Sequence, residues 1–356
     1  MSIDDPVPPP ERHRRPRYTG THPRRFGDKY KELQPERYPG IVEHVRQQGG
    51  TPAGSHVPIL VGEVLAALEP KPGDVVLDCT LGAGGHAAAI LPKILPGGRL
   101  VGIDRDAGEL ERTQARLAAY ADSLTVHAAS FAWVESVASE EGGAFDVLLA
   151  DLGVSSMQLD DPERGFSYKA DGPLDMRMDR SSGRTAQHLL ASIDEAHLAD
   201  ALRDLADEPE AAKFARAIVE ARARRPLLRT LDLVRVILAA KGYTLSSWKA
   251  KSREGDAGLH PAARTFQAVR ILVNGEMDAL DRLLDAAPRL LRPGGRIAIL
   301  SFHSGEDRRV KIAFRDGVRG GLYEAMSDEP IRASAAETKS NPRASSARLR
   351  WARKPA

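Results

Sequence analysis

Two acids close two consecutive apolar runs, Asp78 after Val75-Val76-Leu77 and Asp104 after Leu100-Val101-Gly102-Ile103. A glycine loop, Leu81-Gly82-Ala83-Gly84-Gly85-His86, follows the first. Glycines let a backbone pass close under a bound nucleoside, and an acid twenty residues beyond Gly84 can accept both hydroxyls of a ribose. The loop also contains Gly82-x-Gly84-x-x-Ala87, a legal dinucleotide fingerprint, so spacing alone leaves NAD open. Charge points elsewhere. An NAD fold puts its first glycine directly at the strand end, where a helix N-terminus meets a pyrophosphate. Here Asp78 stands four residues before Gly82. A carboxylate there suits a cationic cofactor without phosphates, such as the sulfonium and amino-acid portion of S-adenosylmethionine (SAM).

Two further strand ends carry candidates. Asp151 opens Asp151-Leu152-Gly153-Val154-Ser155-Ser156-Met157-Gln158, at the carboxyl end of a strand, where open α/β sheets bind ligands. Methylation of an exocyclic amine needs an acceptor to hold its N–H groups, and a carboxylate beside main-chain carbonyls can serve; a strand-end Asp also commonly caps a turn. The Asn/Asp-Pro-Pro-Tyr tetrapeptide of many amino-methyltransferases is absent, which argues against most DNA adenine and cytosine N-methylases. His303, in Ser301-Phe302-His303-Ser304-Gly305-Glu306-Asp307, could accept a proton or contact a base; the more common fate of a lone histidine is a helix cap or a core position, so it ranks second as a candidate. A metal reading of His303, Glu306 and Asp307 lacks a supporting ligand set. Cys79 lies inside the glycine loop, which disfavours it as a nucleophile toward cytosine C5.

The elements that position these residues follow a βαβ pattern from His56 onward. Strands are expected at Val75–Asp78, Arg99–Asp104, Leu124–Ala128, Phe145–Asp151 and Arg296–Phe302, with helices near 85–95, 107–119 and 265–291. The gap between the fourth and fifth strands far exceeds an ordinary connection. Within it, Ser192-Ile193-Asp194-Glu195 resembles a capping box, and Glu208–Arg225 and Thr230–Lys241 show helical spacing, so a helical insert is expected. Lys213, Arg222, Arg224, Arg225 and the loop Arg164 to Arg177 are its candidates for phosphate contacts, with a solvated helix face as the plainer reading.

Composition narrows the class. The chain has 356 residues, enough for two domains at about 150 each, and 42% hydrophobic with 28% charged residues is globular. A formal charge of +2 means that a nucleic acid would be held by local basic patches. The single Cys79 excludes an internal disulfide and a cysteine zinc site, and with no apolar run near the ~18 residues of a membrane span the chain reads as cytosolic. Residues 1–50 hold eight prolines, and eight Lys or Arg stand against two acids between Glu11 and Lys31. This segment reads as a solvated tail, or as an RNA-contacting arm with Tyr18, Phe26 and Tyr30 interleaved.

Taken together, the motifs resemble the MraW (RsmH) family of bacterial 16S rRNA cytosine-N4 methyltransferases. The likeness spans about residues 56 to 354: His56-Val57-Pro58, Gly84-Gly85-His86, Ile103-Asp104-Arg105-Asp106, Asp151–Ser156, Asp160–Tyr168, Asp171–Asp179, His260-Pro261-Ala262, Thr265–Arg270, Ser301-Phe302-His303-Ser304 and Asn341-Pro342-Arg343. The resemblance implies a SAM-dependent, Rossmann-like methyltransferase sheet. It implies methylation at N4 of a decoding-region cytosine, conventionally cytosine 1402, within the 30S ribosomal subunit. It also implies SAM contacts at Gly84, Gly85, His86, Asp104, Phe131, Asp151 and Gln158, with Phe131 packing on the adenine. Asp151 and His303 are the candidates for the chemical step. The chain departs from the family's usual residues at Ala83, Gly305 and Ser345. The expected organisation is a tail over 1–50, a methyltransferase domain over 51–160 and 260–356, and an rRNA-recognising helical insert over 161–259. The rival readings are an NAD-dependent oxidoreductase and a non-catalytic ribosome-assembly factor that binds RNA.

Overall fold

The computed structural model describes residues 58–253 and 258–356; the tail over 1–50, with Tyr18, Phe26 and Tyr30, and the His56-Val57 pair lie outside the described residues. Four parallel strands form where the apolar runs place them: β1 (Val75–Asp78), β2 (Arg99–Asp104), β3 (Leu124–Ala128) and β4 (Phe145–Asp151). The fifth, β5, spans Leu291–Ser301 and so starts before the expected Arg296. Its register against β4 jumps from Phe145↔Leu291 to Val147↔Arg296, because Arg292-Pro293-Gly294-Gly295 bulges out and rejoins the sheet. Two strands were not expected, β6 (Ala325–Met326) and β7 (Arg348–Arg353), and β7 inserts antiparallel beside β5. The seven-stranded order β3-β2-β1-β4-β5-β7-β6 is the Rossmann-like methyltransferase sheet that the family resemblance implies.

Both faces of the sheet are covered, which is why its strands read as unbroken apolar runs. Side chains alternate along each strand. Leu148, Ile297 and Ile299 face one way, into a core with Leu280 and Leu283 of α12 (Glu276–Leu290) and Phe314 of α13 (Ser304–Arg319). Val147, Leu149, Ala298 and Leu300 face the other way, against α1 (Val61–Leu68) and α2 (Gly85–Ile94), with Leu110 of α3 (Ala107–Arg116). Helix α3 ends three residues short of expectation, at Arg116, and a 3-10 segment over Ala118–Ser123 leads into β3. Helices α4 (Val134–Glu140) and α5 (Ser156–Asp160) flank β4.

Between β4 and β5 the helices α6 (Ala186–Ser192), α7 (Glu195–Ala206), α8 (Ala211–Arg224), α9 (Thr230–Ala240) and α10 (Leu245–Arg253) enclose a third core. Phe214, Leu233, Ile237 and Trp248 are buried in it, together with Phe266 and Val269 of α11 (Ala263–Asn274). The single helix expected over 265–291 is therefore two, broken at Gly275. That residue adopts φ 58°, a left-handed conformation that glycine takes without a Cβ penalty. The expected cap at Ser192 is also displaced. Ser192 closes α6, and Asp194 caps α7 by accepting the His197 N–H at 2.9 Å. Helix α14 (Ala335–Ser340) precedes the Asn341-Pro342-Arg343 turn. No helix among the described residues is long and apolar enough to cross a membrane.

Phe214 is fully buried at the centre of the third core. Phe214→Ala should cost ~3–5 kcal/mol, as for other large-to-small changes of a buried aromatic. Chemical denaturation should show this as a lower midpoint.

Candidate active site at the strand ends

The carboxyl ends of β1, β2 and β4 converge on the glycine loop. Thr80 ties the first two acids of the site together. Its N–H donates to Asp78 Oδ1 at 3.1 Å, and its hydroxyl accepts the N–H of Asp151 at 2.6 Å. The loop is pinned to the end of β2, where Asp104 Oδ2 accepts Gly82 N–H at 2.8 Å and its Oδ1 accepts Asp106 N–H at 2.9 Å. From below, the Thr113 hydroxyl of α3 donates to the Gly82 carbonyl at 2.6 Å. Gly84 has φ 73°, and a Cβ there would stand 2.7 Å from Thr113 Cγ2, so only glycine fits this close approach. Gly85 lies against Pro58, and His86 enters α2 with its ring buried and Nε2 unpartnered. Burial lowers the His86 imidazole to about 4, so it is neutral at physiological pH.

The site gathers like charges. Asp78 is 1% exposed, and burial, with Asp104 nearby, pushes its carboxyl up to about 7 against the opposing Thr80 hydrogen bonds. Burial also raises Asp151 to about 7, and the neighbouring Asp78 and Glu306 add to the effect. Asp104 is raised by burial as well, despite its two backbone donors. Asp151 Oδ1 is shielded from solvent and has no hydrogen-bond partner. Such a cluster is costly unless cations or N–H donors enter it, so it suits a positively charged ligand beside an amine. Cys79 is buried and its thiol is pushed up by burial, the reverse of an activated nucleophile.

Phe131 begins the short 3-10 turn after β3, half-buried, with the Arg105 guanidinium 6.0 Å from its ring centre. It sits beside the end of β2, to which Ala129 N–H is bonded through the Asp104 carbonyl at 2.9 Å. Gln158 is the third residue of α5. Its Oε1 accepts Ser155 N–H at 3.0 Å in a capping box, and its side chain also bonds Asp106. The structure thus groups Gly84, Gly85, His86, Asp104 and Asp151 around one loop and brings Gln158 to its Asp106 side.

His303 takes the capping role. Its Nδ1 accepts Glu306 N–H at 3.4 Å at the start of α13, and its Nε2 lies 3.2 Å from Glu306 Oε1. Glu306 in turn acts on Asp151 as a neighbouring charge. Several expected phosphate contacts are likewise committed internally. Arg164 pairs with Asp106 at 2.9 Å and donates to the Met178 carbonyl, Arg177 pairs with Asp175 at 2.7 Å, Arg222 donates to the Leu190 carbonyl, and Lys213 pairs with Glu210. Arg224 and Arg225 are exposed. Sequence reasoning passed over Thr80, Thr113 and Asp106, whose partners lie on other strands or helices. The one available signal was Asp106, the second acid of Asp104-Arg105-Asp106.

A profile of the MraW methylase family matches residues 53–355. Ribosomal RNA small subunit methyltransferase H 1 of Lachnoclostridium phytofermentans is 43% identical over 346 residues, covering 96% of this chain and 93% of that protein. Ribosomal RNA small subunit methyltransferase H of Sorangium cellulosum is 47% identical over 300 residues, covering 84% and 90%. Among solved structures, Aeropyrum pernix fibrillarin with bound S-adenosyl-L-methionine superposes at a TM-score of 0.36 with 11% identity, covering 82% of this chain and 74% of that one.

The raised carboxyls make stability depend on pH. Between the ordinary value of 3.8 and about 7 the folded chain keeps an Asp151 proton that the unfolded chain has lost. Stability therefore falls as pH rises through that window and levels off above it. Asp151→Asn removes the titration. Its melting temperature should exceed that of the wild type at pH 8 by ~2 °C or more, and the gap should close toward pH 5. An equal gap at both pH values would show that Asp151 is ionised throughout.

Proposed function

The chain belongs to the MraW methylase family, and from that membership we propose that it methylates small-subunit ribosomal RNA with SAM, at N4 of the decoding-region cytosine 1402 of 16S rRNA. The proposed setting is the 30S subunit in the cytoplasm. The observation that carries the reading is the buried, unpartnered Oδ1 of Asp151 at the end of β4, one hydroxyl away from Asp78 and the glycine loop. An acceptor without a donor in a dry site is satisfied by an amine N–H of the substrate.

The residues present fit SAM. Asp104 offers the remaining lone pairs of both carboxylate oxygens to ribose hydroxyls, Phe131 offers a ring face to the adenine, and the Gly82–Gly85 loop lets the backbone approach. Asp78 and Asp151 supply negative charge for the cationic end, and the same charge would repel the pyrophosphate of NAD. Bound there, SAM supplies a methyl group on a positively charged sulfur. Asp151 accepts one N–H of the cytosine amine, which turns the nitrogen lone pair out of conjugation with the ring. Asp151 would also take the surplus proton that the amine gives up on methylation. Most of the acceleration comes from holding the reactants in line, and no covalent enzyme intermediate is needed. We assign rRNA contact to the helical segment over 161–259, with Arg224 and Arg225 as its exposed basic side chains.

Asp104→Ala should weaken SAM binding at least about tenfold, the loss of a charged hydrogen-bond acceptor, with the fold retained. Calorimetric titration reads this, and unchanged affinity would give the ribose to another residue. Asp151→Asn keeps the shape and one acceptor oxygen but loses the charge. With saturating SAM and 30S subunits its single-turnover rate should fall by about a hundredfold or more, as for a lost general base. A normal rate with only a higher SAM requirement would make Asp151 a cofactor ligand alone.

A further inference from the structure

Glu306 is 1% exposed, deeper than a helix-capping carboxylate needs to be. Its Oε2 accepts two backbone donors from the end of β5, Phe302 N–H at 2.8 Å and His303 N–H at 3.3 Å. Its Oε1 lies 3.2 Å from His303 Nε2. Arg270 of α11 stands within electrostatic reach and is itself paired with Glu276 through two 2.9 Å contacts. Burial alone would raise the Glu306 carboxyl; His303, Arg270 and the Phe302 N–H outweigh it, so Glu306 is held ionised. The turn it fastens adjoins Asp151. Asp151 pairs in register with Leu300, Leu152 N–H reaches the Leu300 carbonyl at 2.9 Å, and Phe302 lies against Gly153.

We propose that Glu306 is a positioning residue for methyl transfer: its buried carboxylate fastens the Phe302–His303 turn against the end of β4 and adds a second negative charge to the Asp151 end of the site. The inference rests on the assignment of Asp151 to the acceptor amine. The charged groups facing Asp151 are Asp78 from the end of β1 and Glu306 from α13. Those facing Glu306 are His303 at its own helix start and Arg270 from α11, while Arg348 and Arg350 of β7 pair with Asp307 instead.

A neighbouring negative charge opposes ionisation of Asp151, so removing it lets Asp151 ionise at lower pH. Glu306→Gln deletes the charge but keeps an oxygen for Phe302 and His303. The acid limb of its single-turnover profile on 30S subunits should move down by about half a pH unit or more, with SAM affinity unchanged within about twofold. Glu306→Ala also releases the turn, and its plateau rate should fall at least about tenfold. Melting of the SAM-free protein across pH tests the same coupling without turnover. The window in which stability is lost should shift down in Glu306→Gln, and the shift should vanish in an Asp151→Asn background. If the rate profile and the melting profile of Glu306→Gln both coincide with wild type, the proposal is overturned. A wild-type protein inactive on 30S subunits would overturn the functional reading instead, and the melting comparison would still decide whether Glu306 governs Asp151.

Discussion

Four carboxylates, Asp78, Asp104, Asp151 and Glu306, occupy one end of the sheet with little access to water, and much of the surrounding structure exists to make that tolerable. Three of them are served by backbone donors: Thr80 for Asp78, Gly82 and Asp106 for Asp104, Phe302 and His303 for Glu306. A second tier of cations stands behind them. Arg164 neutralises Asp106, Arg270 lies between Glu276 and Glu306, and Arg105 bonds Ser130 and the Asn274 carbonyl. Asp151 alone has a buried oxygen with no donor, so the residual negative potential is concentrated there.

The helical segment is tied to this arrangement by its loops as well as by its core. Asn274, the last residue of α11, donates to the Met176 carbonyl and accepts Met178 N–H, each at 2.8 Å. Arg164 donates to the Met178 carbonyl from the other side while paired with Asp106, two residues from Asp104. At the start of α9, Thr230 and Gly172 exchange hydrogen bonds of 2.9 and 3.0 Å. The Asp171–Asp179 stretch is therefore a structural strap, and its one arginine, Arg177, is taken up by Asp175.

What could be read in advance follows the range of the interactions involved. β1 to β4 were legible to the residue because a parallel strand buried on both faces is an apolar run with turn residues at its ends. Asp104 and the loop glycines were legible because strand-end acids and positive-φ positions are local. β7 was not. Arg348-Leu349-Arg350-Trp351-Ala352-Arg353 looks solvated, yet Arg350 is 2% exposed, its charge met by Asp307 from 43 positions away. His303 carried two readings, and its capping contact became visible only once the fold set Glu306 against it. Arg164 looked available for phosphate because its pairing with Asp106 is a tertiary contact that no spacing rule contains, whereas Arg177 pairs with Asp175 only two residues away. The Asn274 side chain, at the junction of two helices, left no trace in the pattern at all.

The separation of β4 from β5 also bears on biosynthesis. β4 is completed about 140 residues before its hydrogen-bonding neighbour β5 leaves the ribosome. At the usual pace of synthesis this leaves an apolar strand edge unpaired for on the order of ten seconds, the kind of edge that templates aggregation. What emerges in that interval is a set of helices with a core of their own around Phe214, Ile237 and Trp248, built from short-range contacts and so quick to form. Demand on chaperones should therefore be greatest while residues 152–290 are being made, and should fall once β5 docks on β4.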